Sequence, residues 1–142
     1  MKKLNVAVIG YGRSGCGIHC KFFGSESNDI VNVVAVVELD PARAEAAKKD
    51  FNCDTYSDYK ELFARKDIDL VVNASYSDMH YSITLDLINH GFNVLTEKPI
   101  CKKADQLREL IAAAKKNNVM FTIFQQSRLT EYFMPRERFL VL

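Results

Sequence analysis

The segment that most constrains this chain is an apolar run that breaks into three closely spaced glycines. Residues 6–15 read VAVIGYGRSG, so the glycines are Gly10, Gly12 and Gly15. A second apolar run, VVAVVELD, follows about twenty residues later and has Glu38 at its end. A dinucleotide site needs both features, because the glycines let the backbone approach a pyrophosphate and the acid holds a ribose. The order strand, glycine turn, helix, strand and acid therefore predicts such a site.

Each glycine of the turn has its own predicted role. Gly10 permits the tight turn, Gly12 the close approach of backbone to pyrophosphate, and Gly15 the close packing of helix on strand. The N-terminus of the following helix presents N–H groups and the positive end of its dipole to the phosphates. Arg13 can add a charge-assisted contact. The turn residues predicted to contact the cofactor are Gly10, Tyr11, Gly12, Arg13, Ser14 and Gly15.

The acid after the second strand predicts which dinucleotide is bound. Glu38 would accept hydrogen bonds from the adenosine ribose hydroxyls, and its charge would repel the 2′-phosphate of NADP. Leu39 beside it offers no compensating cation. NAD is therefore the predicted cofactor and NADP is less favoured, with Arg43 as the one nearby residue that could reverse this preference.

Strand-like and helix-like segments alternate along the chain, which is typical of a parallel sheet covered on both faces. The predicted strands are residues 5–9, 31–38, 53–56, 69–74, 92–96 and 119–124. The predicted helices are residues 14–23, 58–64, 78–89 and 104–116, with one more that begins at the N-cap Asp40 and Pro41. Right-handed crossovers between these elements give a doubly wound α/β sheet, a Rossmann fold with the strand order 3-2-1-4-5-6.

Length and composition limit the remaining possibilities. A chain of 142 residues suits one α/β domain, and its formal net charge of +1 gives no basic excess for binding nucleic acid. No apolar run is long enough to cross a membrane, and the apolar stretch before Gly10 is too short for a signal peptide, which favours a cytoplasmic protein. The four cysteines form no CxxC pair, so no metal site is predicted and reduced thiols are favoured.

A lysine follows the fifth predicted strand in the tripeptide Glu97-Lys98-Pro99. Ligands of open α/β sheets bind at the carboxyl ends of the strands. A lysine there, beside the nicotinamide, could donate a hydrogen bond or a proton to a substrate oxygen. This tripeptide also distinguishes an oxidoreductase from a methyltransferase. The acid alone does not, because the second strand of a methyltransferase likewise ends in an acid that binds an adenosine ribose.

Four segments together resemble the N-terminal half of the Gfo/Idh/MocA (glucose–fructose oxidoreductase / inositol dehydrogenase) family, namely VAVIGYGRSG, VVAVVELD, SYSDMH and NVLTEKPI. The resemblance implies a Rossmann domain that binds NAD or NADP and a catalytic role for Lys98. It also implies that Ser75 and His80 lie along the cofactor cleft and that Gln125 lies near the nicotinamide end. Glu97 is grouped with these cofactor-binding residues, whereas His19 is interpreted as a packing residue.

The chain departs from the family pattern in three places. Tyr76-Ser77-Asp78 replaces a loop that usually contains proline, and Lys103 stands where a threonine commonly caps a helix. The third departure concerns the second α/β domain, which supplies most of the substrate pocket in the family and which these 142 residues do not include. We therefore expect residues 1–125 to form an NAD(P)-binding domain, residues 126–142 to be a remnant of the linker, and the chain alone to be truncated and inactive.

Two functional classes remain open from the sequence. The first is the cofactor domain of a sugar or polyol oxidoreductase that transfers hydride between nicotinamide and a carbinol or carbonyl carbon, with the substrate bound only if a second domain is supplied. The second is a non-catalytic nucleotide-binding or regulatory module. An apolar surface near the C-terminus also suggests self-association through Phe121, Phe124, Tyr132, Phe133, Phe139 and Leu140.

Overall fold

The computed structural model describes residues 3–129 and contains one sheet of six parallel strands. The strands β1 to β6 are Leu4–Ile9, Val31–Val37, Asp54–Tyr56, Leu70–Asn73, Val94–Thr96 and Phe121–Ile123. Their order across the sheet is β3-β2-β1-β4-β5-β6. The predicted doubly wound α/β sheet and its strand order are thus confirmed. Because every strand runs in the same direction, all carboxyl ends meet at one edge.

Helices connect the strands. Helix α1 opens with a π-helical turn, Gly15–Cys20, and continues as Lys21–Phe23, while α2, α3 and α4 are Pro41–Phe51, His80–Asn89 and Ala104–Asn117. Short 3₁₀ helices span Tyr59–Ala64 and Gln126–Leu129. The predicted cap of α2 is confirmed, since the Asp40 carboxylate accepts the N–H groups of Ala42 and Arg43. The helices predicted over residues 14–23 and 58–64 also form. The first begins as a π turn, and the second is a 3₁₀ helix.

Both faces of the sheet are covered by apolar cores. Alternate residues of β1 point to opposite faces, so Ala7 and Ile9 belong to one core and Val6 and Val8 to the other. The first core is filled largely by α3 and α4, through residues such as Leu87. These four side chains of β1 are at most 4% exposed, which explains why residues 6–9 are continuously apolar.

The structure also bears on the other sequence predictions. Within residues 3–129, no helix is long and apolar enough to cross a membrane, and no cluster of three potential ligands could hold a metal ion. All four cysteines are free thiols. Phe121 and Phe124 of the predicted apolar surface are half-buried, while Tyr132, Phe133, Phe139 and Leu140 lie outside the described residues.

Candidate functional site

A cleft of about 610 Å³ opens at the carboxyl edge of the sheet, within the usual range for a small-molecule site. The loops after β1 to β5 line it, including the glycine turn that follows β1 and the loop that follows β4. The strand order reverses between β1 and β4, so the cleft lies at the topological switch point. Nucleotides bind at such a point in open α/β sheets.

The glycine turn follows the geometry predicted from the sequence. Gly10 has φ +88°, and a Cβ there would lie 2.5 Å from the carbonyl oxygen of Ala74, so only glycine fits. A Cβ on Gly15 would lie 1.8 Å from the carbonyl oxygen of Gly10, which confirms that this glycine lets α1 pack against the turn. A Cβ on Gly12 would meet only Arg43 Nη1, at 3.9 Å. The space beside Gly12 therefore belongs to the cleft.

Glu38, the acid after β2, contacts this turn directly. Its carboxylate is 8% exposed, and Oε2 accepts the backbone N–H of Tyr11 at 2.7 Å. Oε1 accepts the backbone N–H of Asp40 at 2.9 Å and Arg43 Nη2 at 3.1 Å. The carboxylate is thus fixed beside the turn before any ligand arrives, and Oε2 keeps one lone pair for a ribose hydroxyl.

Arg43 places a cation at the same end of the cleft. Its side chain is 47% exposed, pairs with Glu38, and comes within 3.9 Å of Asp40 Oδ2. The guanidinium charge is therefore already neutralised by carboxylates on the sheet edge. Arg13, by contrast, lines the cleft as an exposed side chain that pairs with no carboxylate among residues 3–129.

Asn73 organises the loop that follows β4. This fully buried side chain donates from Nδ2 to Thr84 Oγ1 at 3.0 Å and to the carbonyl oxygen of His80 at 3.2 Å. Its Oδ1 accepts the hydroxyl of Ser75 at 2.7 Å. One buried amide thereby holds the end of the strand, the loop and the start of α3 in a fixed arrangement.

His80 joins the loops after β4 and β5. It is 2% exposed, with Nδ1 2.8 Å from the carbonyl oxygen of Pro99 and Nε2 3.0 Å from that of Ser75. Its imidazole therefore spans the two loops that border the cleft. The predicted His80 reaches the cleft wall, but the backbone occupies both of its ring nitrogens.

Glu97 and Lys98 lie at the end of β5 and both line the cleft. Glu97 is 4% exposed and approaches His19 Nε2 at 3.0 Å, whereas Lys98 is exposed. Burial lowers the pKa of His19, although the hydrogen bond to Glu97 opposes this effect. Within the part of the chain that the structure describes, no carboxylate pairs with the Lys98 ammonium group. This amine is thus available to a ligand.

The structure brings most of the predicted site residues together in one cleft. Those that line it are Gly10, Gly12, Arg13, Ser14, Glu38, Ser75, His80, Glu97 and Lys98. Tyr11 contributes its backbone N–H, while its buried hydroxyl donates to Asp50 Oδ2 at 2.6 Å, and burial raises the pKa of this phenol. Gly15 lies behind the turn, and the exposed Gln125 donates to Ser127 instead of lining the cleft.

The sequence did not predict that Asp58 and Tyr59, which follow β3, or Met79, which precedes α3, line the cleft. Tyr59 donates from its hydroxyl to Asp86 at 2.9 Å, and burial together with this bond raises its pKa to about 12. The sequence did indicate a helix start at this position, because Asp58 and Glu61 form a capping box. The preceding strand was too weakly patterned to show that this helix start faces the cleft.

Comparison with known proteins identifies one family over most of the chain. Residues 4–125 match the GFO_IDH_MocA model, which describes an oxidoreductase family with an NAD-binding Rossmann fold. A scyllo-inositol 2-dehydrogenase (NADP(+)) of Bacillus subtilis is 26% identical over 132 residues, which are 92% of this chain and 36% of that protein. The chain spans about a third of the length of the curated relatives it matches.

Solved structures share the fold. Myo-inositol 2-dehydrogenase from Lactobacillus plantarum superposes with a TM-score of 0.86 at 26% identity, over 98% of this chain and 41% of that one. GenD2 from gentamicin A biosynthesis, solved in complex with NAD, superposes with a TM-score of 0.79 at 28% identity, over 87% of this chain and 34% of that one. In both structures the matched part is less than half of a longer chain.

Proposed function

The chain belongs to the Gfo/Idh/MocA family of oxidoreductases with an NAD-binding Rossmann fold, and from this membership we propose that it forms the cofactor site of an NAD-dependent sugar or polyol oxidoreductase. One observation carries the proposal. The Glu38 carboxylate accepts the Tyr11 N–H at 2.7 Å, so the ribose-binding acid and the phosphate-binding turn are held side by side. The open space beside Gly12 and the cleft volume suit the cofactor as well.

The proposed preference for NAD over NADP rests on charge. A 2′-phosphate on the adenosine ribose would lie against the buried Glu38 carboxylate, and removing that repulsion would require a free cation. Arg43 contacts Glu38, but its guanidinium is already paired with that carboxylate and lies close to Asp40. Arg13, which forms no ion pair within the described part of the chain, is assigned to the pyrophosphate turn in this proposal. The relative from Bacillus subtilis is named for NADP(+), so the proposed preference for NAD rests on the residues of this chain and not on its relatives.

Lys98 is the proposed acid–base residue. The nicotinamide of a bound cofactor supplies the hydride acceptor or donor. Lys98 stands at the end of β5, on the far side of the switch point from Glu38, with an ammonium group that pairs with no carboxylate among residues 3–129. From there it would donate a hydrogen bond to the substrate oxygen and exchange its proton as that oxygen changes between hydroxyl and carbonyl.

The substrate class and the need for further residues are also proposals. Because this chain resembles inositol dehydrogenases, we propose a polyhydroxylated substrate. The chain spans only about a third of the length of such relatives. Productive hydride transfer requires the substrate to be oriented against the cofactor. We infer that these 142 residues bind the cofactor but do not turn over a polyol without additional substrate-binding residues.

Calorimetric titration with NAD⁺ tests cofactor binding directly. We expect saturable binding in the wild-type chain, and at least about tenfold weaker binding in G12A, because the new methyl group would occupy the pyrophosphate position. The melting temperature of G12A should match the wild type, since nothing but a flexible arginine tip lies within 4 Å of its Cβ. G17A is the matched control on the exposed side of α1. Wild-type protein that shows no saturation at about 1 mM would refute the cofactor site.

The preference between the two dinucleotides needs a second titration, with NADP⁺. We expect NAD⁺ to bind at least about tenfold more tightly, and E38Q to narrow that difference by removing the repelling charge. NADP⁺ binding as tight as NAD⁺ in the wild type would contradict the preference while leaving the site intact. Steady NADH production from myo-inositol by the 142-residue chain would contradict its proposed dependence on further residues.

A further inference from the structure

A buried histidine–carboxylate pair lies at the β5 side of the cleft. His19 Nε2 and Glu97 Oε1 are 3.0 Å apart, and each side chain is 5% exposed. Glu97 also lines the cleft, so this residue borders the ligand space while its side chain is shielded from bulk water. A buried charge is electrostatically stronger than a solvated one because the local dielectric constant is low.

The fold fixes the position of this carboxylate. The π-helical opening of α1 presents His19 toward β5, and the Phe124 ring packs on the imidazole with centroids 4.6 Å apart. Glu97 Oε2 accepts the backbone N–H of Lys98 at 3.3 Å, and the Glu97 N–H donates to the carbonyl oxygen of Asn73 at 2.9 Å. Both carboxylate oxygens therefore have fixed donors, which hold the charge at the end of β5.

The His19 imidazole adds no compensating positive charge to the Glu97 carboxylate near neutral pH. Burial lowers the pKa of His19, so its imidazole is neutral and uses one N–H to hold Glu97. The only cation beside it in the cleft wall is Lys98, the next residue along the chain. The charged groups at this end of the described cleft are thus one fixed carboxylate and one exposed ammonium group.

The place of the pair in the sheet determines which half of a dinucleotide it faces. With the pyrophosphate at the glycine turn after β1 and the adenosine ribose at Glu38 after β2, the other nucleoside must extend over β4 and β5. Glu97 follows β5. This step rests on the proposed function, and it puts the Glu97 carboxylate beside the nicotinamide ring.

We propose that Glu97, positioned by His19, makes the site favour the oxidised cofactor over the reduced one. The nicotinamide ring is positively charged in NAD⁺ and neutral in NADH, while the rest of the two molecules is the same. A fixed carboxylate next to the ring therefore attracts one form and not the other. Lys98 has the opposite effect, so the change in the affinity ratio on removing Glu97 is the informative quantity.

The test is to measure the dissociation constants of NAD⁺ and NADH for the wild type and E97Q. Glutamine keeps a hydrogen-bond partner for His19 and removes only the charge. We expect the ratio of NADH to NAD⁺ dissociation constants to fall at least about tenfold in E97Q, because one charge contributes that much even at roughly 10 Å with an effective dielectric constant near 20. Nearly all of the change should come from weaker NAD⁺ binding.

Two variants serve as controls, and a third replaces E97Q if that variant does not fold. D58N removes a carboxylate from the β3 end of the same cleft and should change both affinities by the same factor. H19Q keeps a donor for Glu97, so its ratio should stay within about twofold of the wild type. If the melting curve shows that E97Q does not fold, E97D takes its place. It keeps the charge but withdraws it from the ring, and should lower the ratio by a smaller factor.

The outcomes distinguish this inference from the proposed function. Both cofactor forms binding to E97Q with the wild-type ratio would overturn the inference and leave the cofactor site standing. A ratio that shifts as far in D58N as in E97Q would also overturn it, because the effect would not belong to the Glu97 charge. Failure of the wild type to bind either form would refute the proposed function, and the inference with it.

Discussion

Replacing Gly15 with alanine tests the packing on which the glycine turn depends. The new Cβ would lie 1.8 Å from the Gly10 carbonyl oxygen and 2.9 Å from the Gly10 carbonyl carbon, and both atoms belong to the backbone. Real Cβ atoms essentially never approach a neighbour closer than 3.0 Å. Because no side chain can rotate aside, either α1 or the turn must move by more than about 1 Å within a close-packed region.

The magnitude follows from the cost of forcing atoms into a packed interior. Overpacking typically costs about 1–3 kcal/mol, and a clash with backbone belongs at the upper end of that range. We expect G15A to lower the free energy of unfolding by about 3 kcal/mol, which is roughly a 10 °C fall in melting temperature for a domain of this size. The displaced turn should also weaken NAD⁺ binding, since the Tyr11 N–H would lose its register with Glu38.

Gly17 provides the matched control for this prediction. It lies in the same π turn, it is exposed, and a Cβ there would meet nothing within 4 Å. G17A should therefore be neutral or stabilise the chain by up to about 1 kcal/mol, as glycine-to-alanine changes in helices do. Urea denaturation followed by circular dichroism measures both variants. Equal stabilities of G15A and G17A would refute the close-packing argument.

Three further predictions concern single side chains. Because burial lowers the pKa of folded His19, the unfolded chain binds that proton more readily, so the wild type should lose more melting temperature than H19Q as the pH falls from about 7 to about 5; parallel losses would contradict the shift. Cys20, whose pKa burial raises to about 12, and the buried Cys53 should react with iodoacetamide more slowly than the half-buried Cys101, as measured by mass spectrometry of the native chain. D40A should cost about 1 kcal/mol in urea denaturation, because the N–H groups at the start of α2 lose their acceptor, whereas D40N should cost less.

The sheet and the glycine turn could be predicted from the sequence because their signals are local. The β1 residues are apolar without interruption because both faces of that strand are buried, and Gly10 and Gly15 occupy positions where a Cβ cannot fit. Asp40 and Pro41 mark the start of α2 in the same local way. In each of these cases one residue type meets one backbone requirement. The strand order was also predicted correctly, because right-handed crossovers between alternating strands and helices leave few other arrangements.

The remaining features depend on contacts between distant segments. His19 and Glu97 are 78 residues apart, and nothing in the first helix indicates that a π turn directs the imidazole onto the end of β5. The pairing of Arg43 with Glu38 likewise depends on how α2 begins relative to β2. Such pairs follow from the register of the completed sheet, which is why His19 was interpreted as a packing residue alone.

The wide first turn of α1 also bears on which changes of length the chain can tolerate. In that turn the Lys21 N–H donates to the carbonyl oxygen of Cys16, five residues earlier. The hydrogen-bonded turn therefore contains one residue more than an α-helical turn. Removing Gly17 should let the chain close an ordinary helical turn that still presents an imidazole to the neighbouring strand. The same deletion within α2 would swing every later side chain by about 100°. A one-residue deletion usually disrupts a helix, but deletion of Gly17 should change the stability of this chain little.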